Sequence, residues 1–165
     1  MENMSVTAEY LRVSTVQMET MLARIETCAA KLTEEQIWTR YGENQNAVGN
    51  LVLHLTGNVR QWILSGVGGA ADVRVRDAEF AARGSVSAAE LMAGLRRVVE
   101  AAVAVIRGLS EQDMLTRISV QGYDVTKLEA VYHVVEHFTG HAFQIIFATK
   151  LLTDTDLGFY AHLNP

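Results

Sequence analysis

The chain has 165 residues, of which 49% are hydrophobic and 20% are charged, so it can form one ordinary domain and is too apolar to be disordered. Its formal net charge of −5 argues against nucleic acid or an anionic membrane as the main partner. The one cysteine, Cys28, excludes an intramolecular disulfide and a multi-cysteine metal site, and the lack of a leader pattern or a long apolar run predicts a soluble, cytoplasmic protein.

The first half of the chain predicts two long helices. Apolar residues recur at three- and four-residue steps over residues 6–32, and Thr33 can cap a short further helical start. The same step returns over residues 47–64, and Ser65 and Gly66 then end the helix. The following stretch, residues 66–86, has no sustained periodicity, and connections of that length inside a domain are often functional.

The second half predicts two more long helices. A Ser-Ala-Ala-Glu capping box at residues 87–90 begins a helix that runs to about Leu109, and residues 118–123 alternate as a short extended piece does. A second capping box at residues 126–129 begins the last helix, which runs to about Leu152. These elements predict an all-α four-helix bundle with one long crossover connection, as a single domain over residues 1–165.

Histidines are the only concentrated metal-binding side chains in the sequence. His133, His137 and His141 are spaced four residues apart on the last predicted helix, so they share one face among apolar neighbours. His54 lies between leucines in the second long helix. Two imidazoles at i and i+4 can bind one ion, and a ligand from a facing helix gives a third. Three ligands leave one position of a tetrahedral coordination sphere open for water or substrate. The alternative is that these are hydrogen-bonded structural histidines.

A different motif overlaps the same helix. Residues 133–137 read His-Val-Val-Glu-His, which matches the H-x-x-E-H signature of inverted zinc proteases. In that interpretation His133 and His137 are metal ligands and Glu136 is the general base. Against this interpretation, a 165-residue bundle is small for an enzyme that must also bind a protein substrate.

Two further motifs connect the sequence to a known family. Residues 50–55 (Asn-Leu-Val-Leu-His-Leu) and 137–145 (His-Phe-Thr-Gly-His-Ala-Phe-Gln-Ile) resemble the DinB/YfiT-like metal-binding four-helix bundles. The resemblance extends to the glycine-rich turn, to residues 76–80 and to the Phe-Tyr pair at residues 159–160.

The resemblance implies a ligand set and an activity. In that family one histidine from the second helix and two from the last hold a divalent transition metal, zinc or nickel, which corresponds here to His54, His137 and His141. It also implies a homodimer and a metal-dependent transferase whose small-molecule substrate is a low-molecular-weight thiol. A non-catalytic, dimeric metal-binding or stress-associated bundle is the second function consistent with the same site.

Other residues near this site have weaker assignments. His133, Gln144 and Glu136 are candidates for contacts with the ligands or for the pocket wall, and Arg60 and Arg76 are candidates for binding an anionic part of a substrate. No residue is assigned as catalytic. Cys28 lies on the apolar stripe of the first helix, which predicts a buried and inert thiol, and His162 in the C-terminal tail is predicted to be incidental.

Overall fold

Four long helices organise the computed structural model, which describes residues 5–163. The start of the chain, on which part of the leader prediction rests, lies outside the described residues, as does the last residue, Pro165. The helices are α1 (Val6–Ala29), α2 (Glu34–Ile37), α3 (Val48–Val59), α4 (Arg76–Ala81), α5 (Ala88–Arg107), α6 (Glu111–Met114) and α7 (Lys127–Thr153). A π-helical segment, Arg60–Val67, continues α3, and a 3₁₀ turn, Ala161–Leu163, follows α7.

The long helices enclose one apolar core. Helix α1 packs on α5 and α7, and α3 packs on the same two helices from the other side. The largest side chains that are fully buried come from the four long helices, from the π-helical segment and from α2. They include Met18, Ile25, Ile37, Leu55, Ile63, Leu95, Ile106, Phe138 and Ile145. The predicted all-α bundle is therefore confirmed for the described residues.

Capping residues determine where several helices begin. The predicted capping boxes are all formed, with Thr33, Ser87 and Thr126 each accepting a hydrogen bond from the backbone three residues later. A further box at Ser110 begins α6, a short helix that the apolar pattern did not indicate. These caps satisfy backbone N–H groups that have no partner inside the helix.

The structure corrects the sequence-based boundaries in three places. The first helix ends at Ala29 rather than at residue 32, and the second long helix changes to π-helical hydrogen bonding from Arg60 onward. The crossover, residues 66–86, is not uniformly irregular, because it contains the short helix α4. A helix this short has too few turns to give a periodic signal.

The predicted extended piece, residues 118–123, is not one strand, because a turn at residues 121–122 divides it into parts of a hairpin. Strand β1 (Arg117–Val120) pairs antiparallel with β2 (Tyr123–Thr126). Gln121 and Gly122 form the two-residue turn, both with positive φ (52° and 79°), as a type I′ turn requires. The hairpin lies against the π-helical segment, where Trp62 Nε1 donates a hydrogen bond to the side chain of Gln121.

No helix within residues 5–163 combines the length and the apolar character needed to cross a bilayer.

Candidate metal centre

Three histidines from two helices converge at one point of the bundle. His54 lies on α3, and His137 and His141 lie one turn apart on α7. One ligand-capable nitrogen from each lies within 4.8 Å of the other two, and His54 Nε2 is 3.1 Å from His137 Nε2. Nitrogens bound about 2.1 Å from a tetrahedral zinc ion are separated by about 3.4 Å, so the spacing suits a common ion.

The protonation of these rings also fits a metal ion. Burial, followed by the neighbouring His141 and His54, lowers the pKa of His137 to about 3, and burial also lowers the pKa of His141. At neutral pH both rings are uncharged, which is the form that ligates metals. Two unprotonated Nε2 atoms at 3.1 Å repel each other unless a cation or a proton lies between them. The donor set therefore fits a divalent transition metal.

Second contacts orient the rings toward that point. His54 Nδ1 lies 3.0 Å from Oε2 of Glu79 and 3.1 Å from Nη2 of Arg74, and His141 Nδ1 lies 2.8 Å from Oε1 of Gln144. Glu79 and Gln144 each offer an acceptor oxygen to Nδ1, and with the proton on Nδ1 the lone pair is on Nε2, which is the tautomer that binds metal through Nε2. Nδ1 of His137 is buried and has no hydrogen-bond partner among the described residues.

Glu79 is held in turn by a buried arginine. Arg74, whose side chain is only 2% exposed, donates through Nε to Oε1 of Glu79 at 2.7 Å and through Nη2 to Oε2 at 2.8 Å. Burial alone raises the pKa of Glu79, but the bonds and charges of Arg74 and His54 outweigh it and leave that pKa below its usual value. The carboxylate thus stays ionised. Because an ionised carboxylate only accepts, His54 bonds to Glu79 in the tautomer that carries its hydrogen on Nδ1.

The hydrogen bonds continue from Arg74 to the protein surface. Arg74 Nη1 donates to Oε1 of Gln61 at 2.9 Å, and Gln61 Nε2 donates to Oδ2 of Asp72 at 2.7 Å. All three nitrogens of the guanidinium therefore donate hydrogen bonds. These bonds restrict the guanidinium, which in turn restricts the carboxylate of Glu79 that contacts His54.

The crossover that carries Glu79 is attached to α3 by buried polar groups. Asn50, fully buried, donates through Nδ2 to the backbone carbonyls of Glu79 (2.9 Å) and Ala82 (3.1 Å). Its Oδ1 accepts hydrogen bonds from Arg40 Nη2 and from the backbone N–H of Ala47. Asn50 therefore uses both ends of its amide to position α4 over the histidines.

The other predicted neighbours of the site have different surroundings. Gln144 contacts His141, as described above, whereas Glu136 is exposed and forms no hydrogen bond to a histidine within residues 5–163. His133 lies beside the centre: its ring centroid is 5.5 Å from that of His137 and 4.1 Å from that of Trp62, on which it packs. The structure does not bring Glu136 to the converging nitrogens.

The two arginines predicted to bind anions have different surroundings. Arg76 is exposed and lies over the ring of Phe80, 4.9 Å from its centroid, and that ring is 4.8 Å from the ring of His54. Arg60 is exposed and borders a cavity of about 370 Å³ whose wall also includes Arg74 and Glu79. Arg76 is therefore linked to His54 through the ring of Phe80, and Arg60 shares a cavity wall with Glu79.

The remaining singled-out residues are remote from the centre. Cys28 is fully buried, and burial raises the pKa of its thiol. His162 is exposed in the 3₁₀ turn that follows α7.

Sequence reasoning missed Glu79 and Arg74 as parts of the site. Both lie in the crossover, residues 66–86, which shows no sustained periodicity. A usable signal was the length of that crossover, since long connections inside a domain are often functional. Their spacing of five residues indicates no shared face.

Comparisons with known proteins agree with this architecture. A family model described as "Protein of unknown function (DUF1572)" matches residues 5–161. None of the curated proteins is significantly similar to this sequence. Among solved structures, the chain resembles a DinB-like protein from Bacillus cereus (18% identity, 87% of this chain and 90% of that chain covered, TM-score 0.68). It also resembles a conserved protein from Enterococcus faecalis (13%, 87% and 97%, TM-score 0.76) and the DinB-like protein YjoA from Bacillus subtilis (16%, 89% and 96%, TM-score 0.68). The predicted DinB-like fold is confirmed.

Proposed function

Because the chain belongs to the DUF1572 family and has the DinB-like fold, we propose that it is a metal-dependent transferase that joins a small thiol to an electrophilic carbon. The observation that carries this proposal is the convergence of the His54, His137 and His141 imidazoles. Three protein ligands are the number found in catalytic zinc sites, which leave a coordination position for substrate. We propose zinc or nickel as the ion. When bound, such an ion supplies a positive charge that lowers the pKa of a nearby thiol.

The protein's own groups prepare the site for a reactant. The hydrogen bonds of His54 to Glu79 and of His141 to Gln144 hold each ring with Nε2 toward the common point. The ion pair between Glu79 and Arg74 keeps the carboxylate charged, so that it continues to accept from His54 Nδ1. In this proposal the chain therefore holds the three imidazoles in position and keeps their protons on Nδ1 of His54 and His141.

The nucleophile comes with the substrate in this proposal. The protein's one cysteine, Cys28, is fully buried and has a raised pKa, so its thiol is not available as a thiolate. In the reaction, the substrate thiol gives its proton to solvent, and the sulfur–carbon bond forms. The leaving group of the electrophile departs with the electron pair of the bond that breaks.

Arg76 is proposed to hold an anionic group of the thiol. Its guanidinium lies over Phe80, which packs on His54, and within residues 5–163 it forms no ion pair. Many small cellular thiols carry carboxylates, and arginine recognises carboxylates through paired hydrogen bonds.

Metal analysis tests the ligand set. Untagged protein and the variants His54→Ala, His137→Ala and His141→Ala would be purified and their metal content measured. We expect each variant to lose most of the metal, because two remaining imidazoles hold an ion weakly. His162→Ala, an exposed histidine outside the site, is the matched control and should retain it. Equal metal content in all five proteins would end the assignment.

Rate measurements test the activity. The protein would be incubated with a panel of cellular thiols and 1-chloro-2,4-dinitrobenzene, with and without added Zn²⁺ or Ni²⁺. A thiol- and metal-dependent rate that His137→Ala abolishes would support the proposal. If the ion binds but no combination exceeds the uncatalysed rate, the protein is instead a non-catalytic metal-binding bundle.

The hydrolase interpretation and the oligomeric state have their own tests. The H-x-x-E-H hypothesis needs His133 as a ligand, so His133→Ala would then remove the metal while His141→Ala would not. Our proposal predicts the reverse.

We also propose a homodimer, for which sedimentation equilibrium should give twice the mass of the chain.

A further inference from the structure

An apolar cavity lies next to the metal centre in the groove between α3 and α7. It measures about 460 Å³ and is lined by Val48 and Leu51 of α3, by Gln144, Phe147 and Leu151 of α7, and by the connection that contains Tyr41. This size is within the range of pockets that bind small molecules. We refer to it as the α3–α7 cavity.

The α3–α7 cavity adjoins the histidines on both helices. On α7 it begins at Gln144, the residue that accepts the hydrogen bond from His141. On α3, Leu51 precedes His54 by three residues. Since three to four residues make one helical turn, the cavity is one turn away from the ligands along each helix. Gln144 is the boundary that the cavity and the centre share.

The lining of the cavity carries no formal charge. No Asp, Glu, Lys or Arg of the described residues contributes to its wall. Tyr41, Phe147 and Leu151 expose 69%, 64% and 64% of their surface around it, which is unusual for side chains of this size in one place. The polar atoms nearest the centre are those of the Gln144 amide.

We infer that the α3–α7 cavity binds the aromatic or aliphatic body of the electrophilic co-substrate and directs its reactive carbon past Gln144 toward the histidines. The inference rests on the proposed function and specifies its second substrate as an apolar electrophile. The anionic thiol and the apolar electrophile then approach from different elements, since Arg76 belongs to α4 and the cavity to α3 and α7.

A binding experiment tests the cavity without any catalysis. The neutral fluorescent probe N-phenyl-1-naphthylamine would be titrated into metal-free protein. Phe147→Gln removes an aromatic wall, and we expect about tenfold weaker probe binding. Phe143→Gln is the matched control, because Phe143 is an exposed phenylalanine four residues away on α7 that does not line this cavity. Ala148→Phe should fill the cavity and also weaken binding. Equal binding by Phe147→Gln and Phe143→Gln would overturn the inference.

Measurements of KM and of the molecular mass in solution distinguish a failure of this inference from a failure of the proposed function. Phe147→Gln should raise KM for 1-chloro-2,4-dinitrobenzene but leave KM for the small polar electrophile iodoacetamide unchanged, with unaltered metal content. If probe binding follows expectation but no activity is found, the proposed function fails and the cavity remains a binding site. If Phe147→Gln instead converts a dimer to a monomer without affecting the probe, the cavity face is an interface between copies and the inference fails.

Discussion

The carboxylate of Glu79 lies directly against Gly57, where a Cβ would stand only 2.8 Å from Cδ of Glu79. The same Cβ would be 2.9 Å from Nε of Arg74. Side-chain carbons do not approach so closely, so the ion pair requires glycine at this turn of α3. The hydrogen bond from His54 to Glu79 thus depends on a residue that contacts no ligand itself.

Replacing this glycine should disturb the centre. In Gly57→Ala the new methyl group pushes Glu79 and Arg74 away, so we expect metal binding to weaken about tenfold and stability to fall by about 1–3 kcal/mol. Zn²⁺ titration calorimetry and urea unfolding measure the two effects. Gly94→Ala is the control, because nothing lies within 4 Å of its added Cβ. If both variants bind Zn²⁺ as wild type does, Glu79 does not position His54.

The charge of Glu79 should matter separately from its shape. Glu79→Gln keeps the side-chain volume but weakens the pairing with Arg74 and the acceptance of the His54 proton, so we expect metal affinity to fall about 10- to 100-fold. Asp77→Asn, an exposed carboxylate on the same short helix, should have no effect. The measurement is competition for Zn²⁺ against a chelator of known affinity. Unchanged affinity in Glu79→Gln would contradict the role assigned to the carboxylate.

Asn50 should be one of the residues most sensitive to mutation. Asn50→Ala removes the bonds that Asn50 makes to the carbonyl of Glu79, to the backbone N–H of Ala47 and to one donor of Arg40, so we expect a loss of about 2–4 kcal/mol. Urea unfolding followed by circular dichroism measures it. Asn44→Ala, at an exposed position in the preceding connection, should change stability by less than about 0.5 kcal/mol. Comparable losses in both variants would show that Asn50 does not anchor the crossover.

The metal-free protein should lose stability as the pH falls. Unfolded histidines bind protons near about pH 6.5, whereas burial lowers the pKa of His137 to about 3 in the folded state. Between these values the unfolded chain binds more protons, so the free energy of unfolding decreases as the pH falls through that range. Urea midpoints at about pH 7.5 and about pH 5 measure this slope. His137→Phe should flatten it and His162→Ala should not, and parallel curves for all three proteins would contradict the assigned cause.

Local sequence signals were enough for most of the helical framework. The apolar steps of α1, α5 and α7 and the capping boxes at Thr33, Ser87 and Thr126 depend on residues within one or two turns of each other. The histidines of α7 could be grouped for the same reason, because a spacing of four residues places them on one face. The π-helical segment was missed because its residues keep an apolar spacing that a regular helix also has.

By itself the sequence determined the bundle and the residues of α3 and α7 that carry imidazoles. Only the tertiary structure decided how the centre is completed, by bringing Glu79 to His54 across 25 residues and His54 to His137 across 83. The physical reason is that these contacts depend on how the crossover docks on α3, through the amide of Asn50 and the space over Gly57. Such docking depends on packing between segments that are distant in the sequence. The periodicity of residues along one helix cannot predict it.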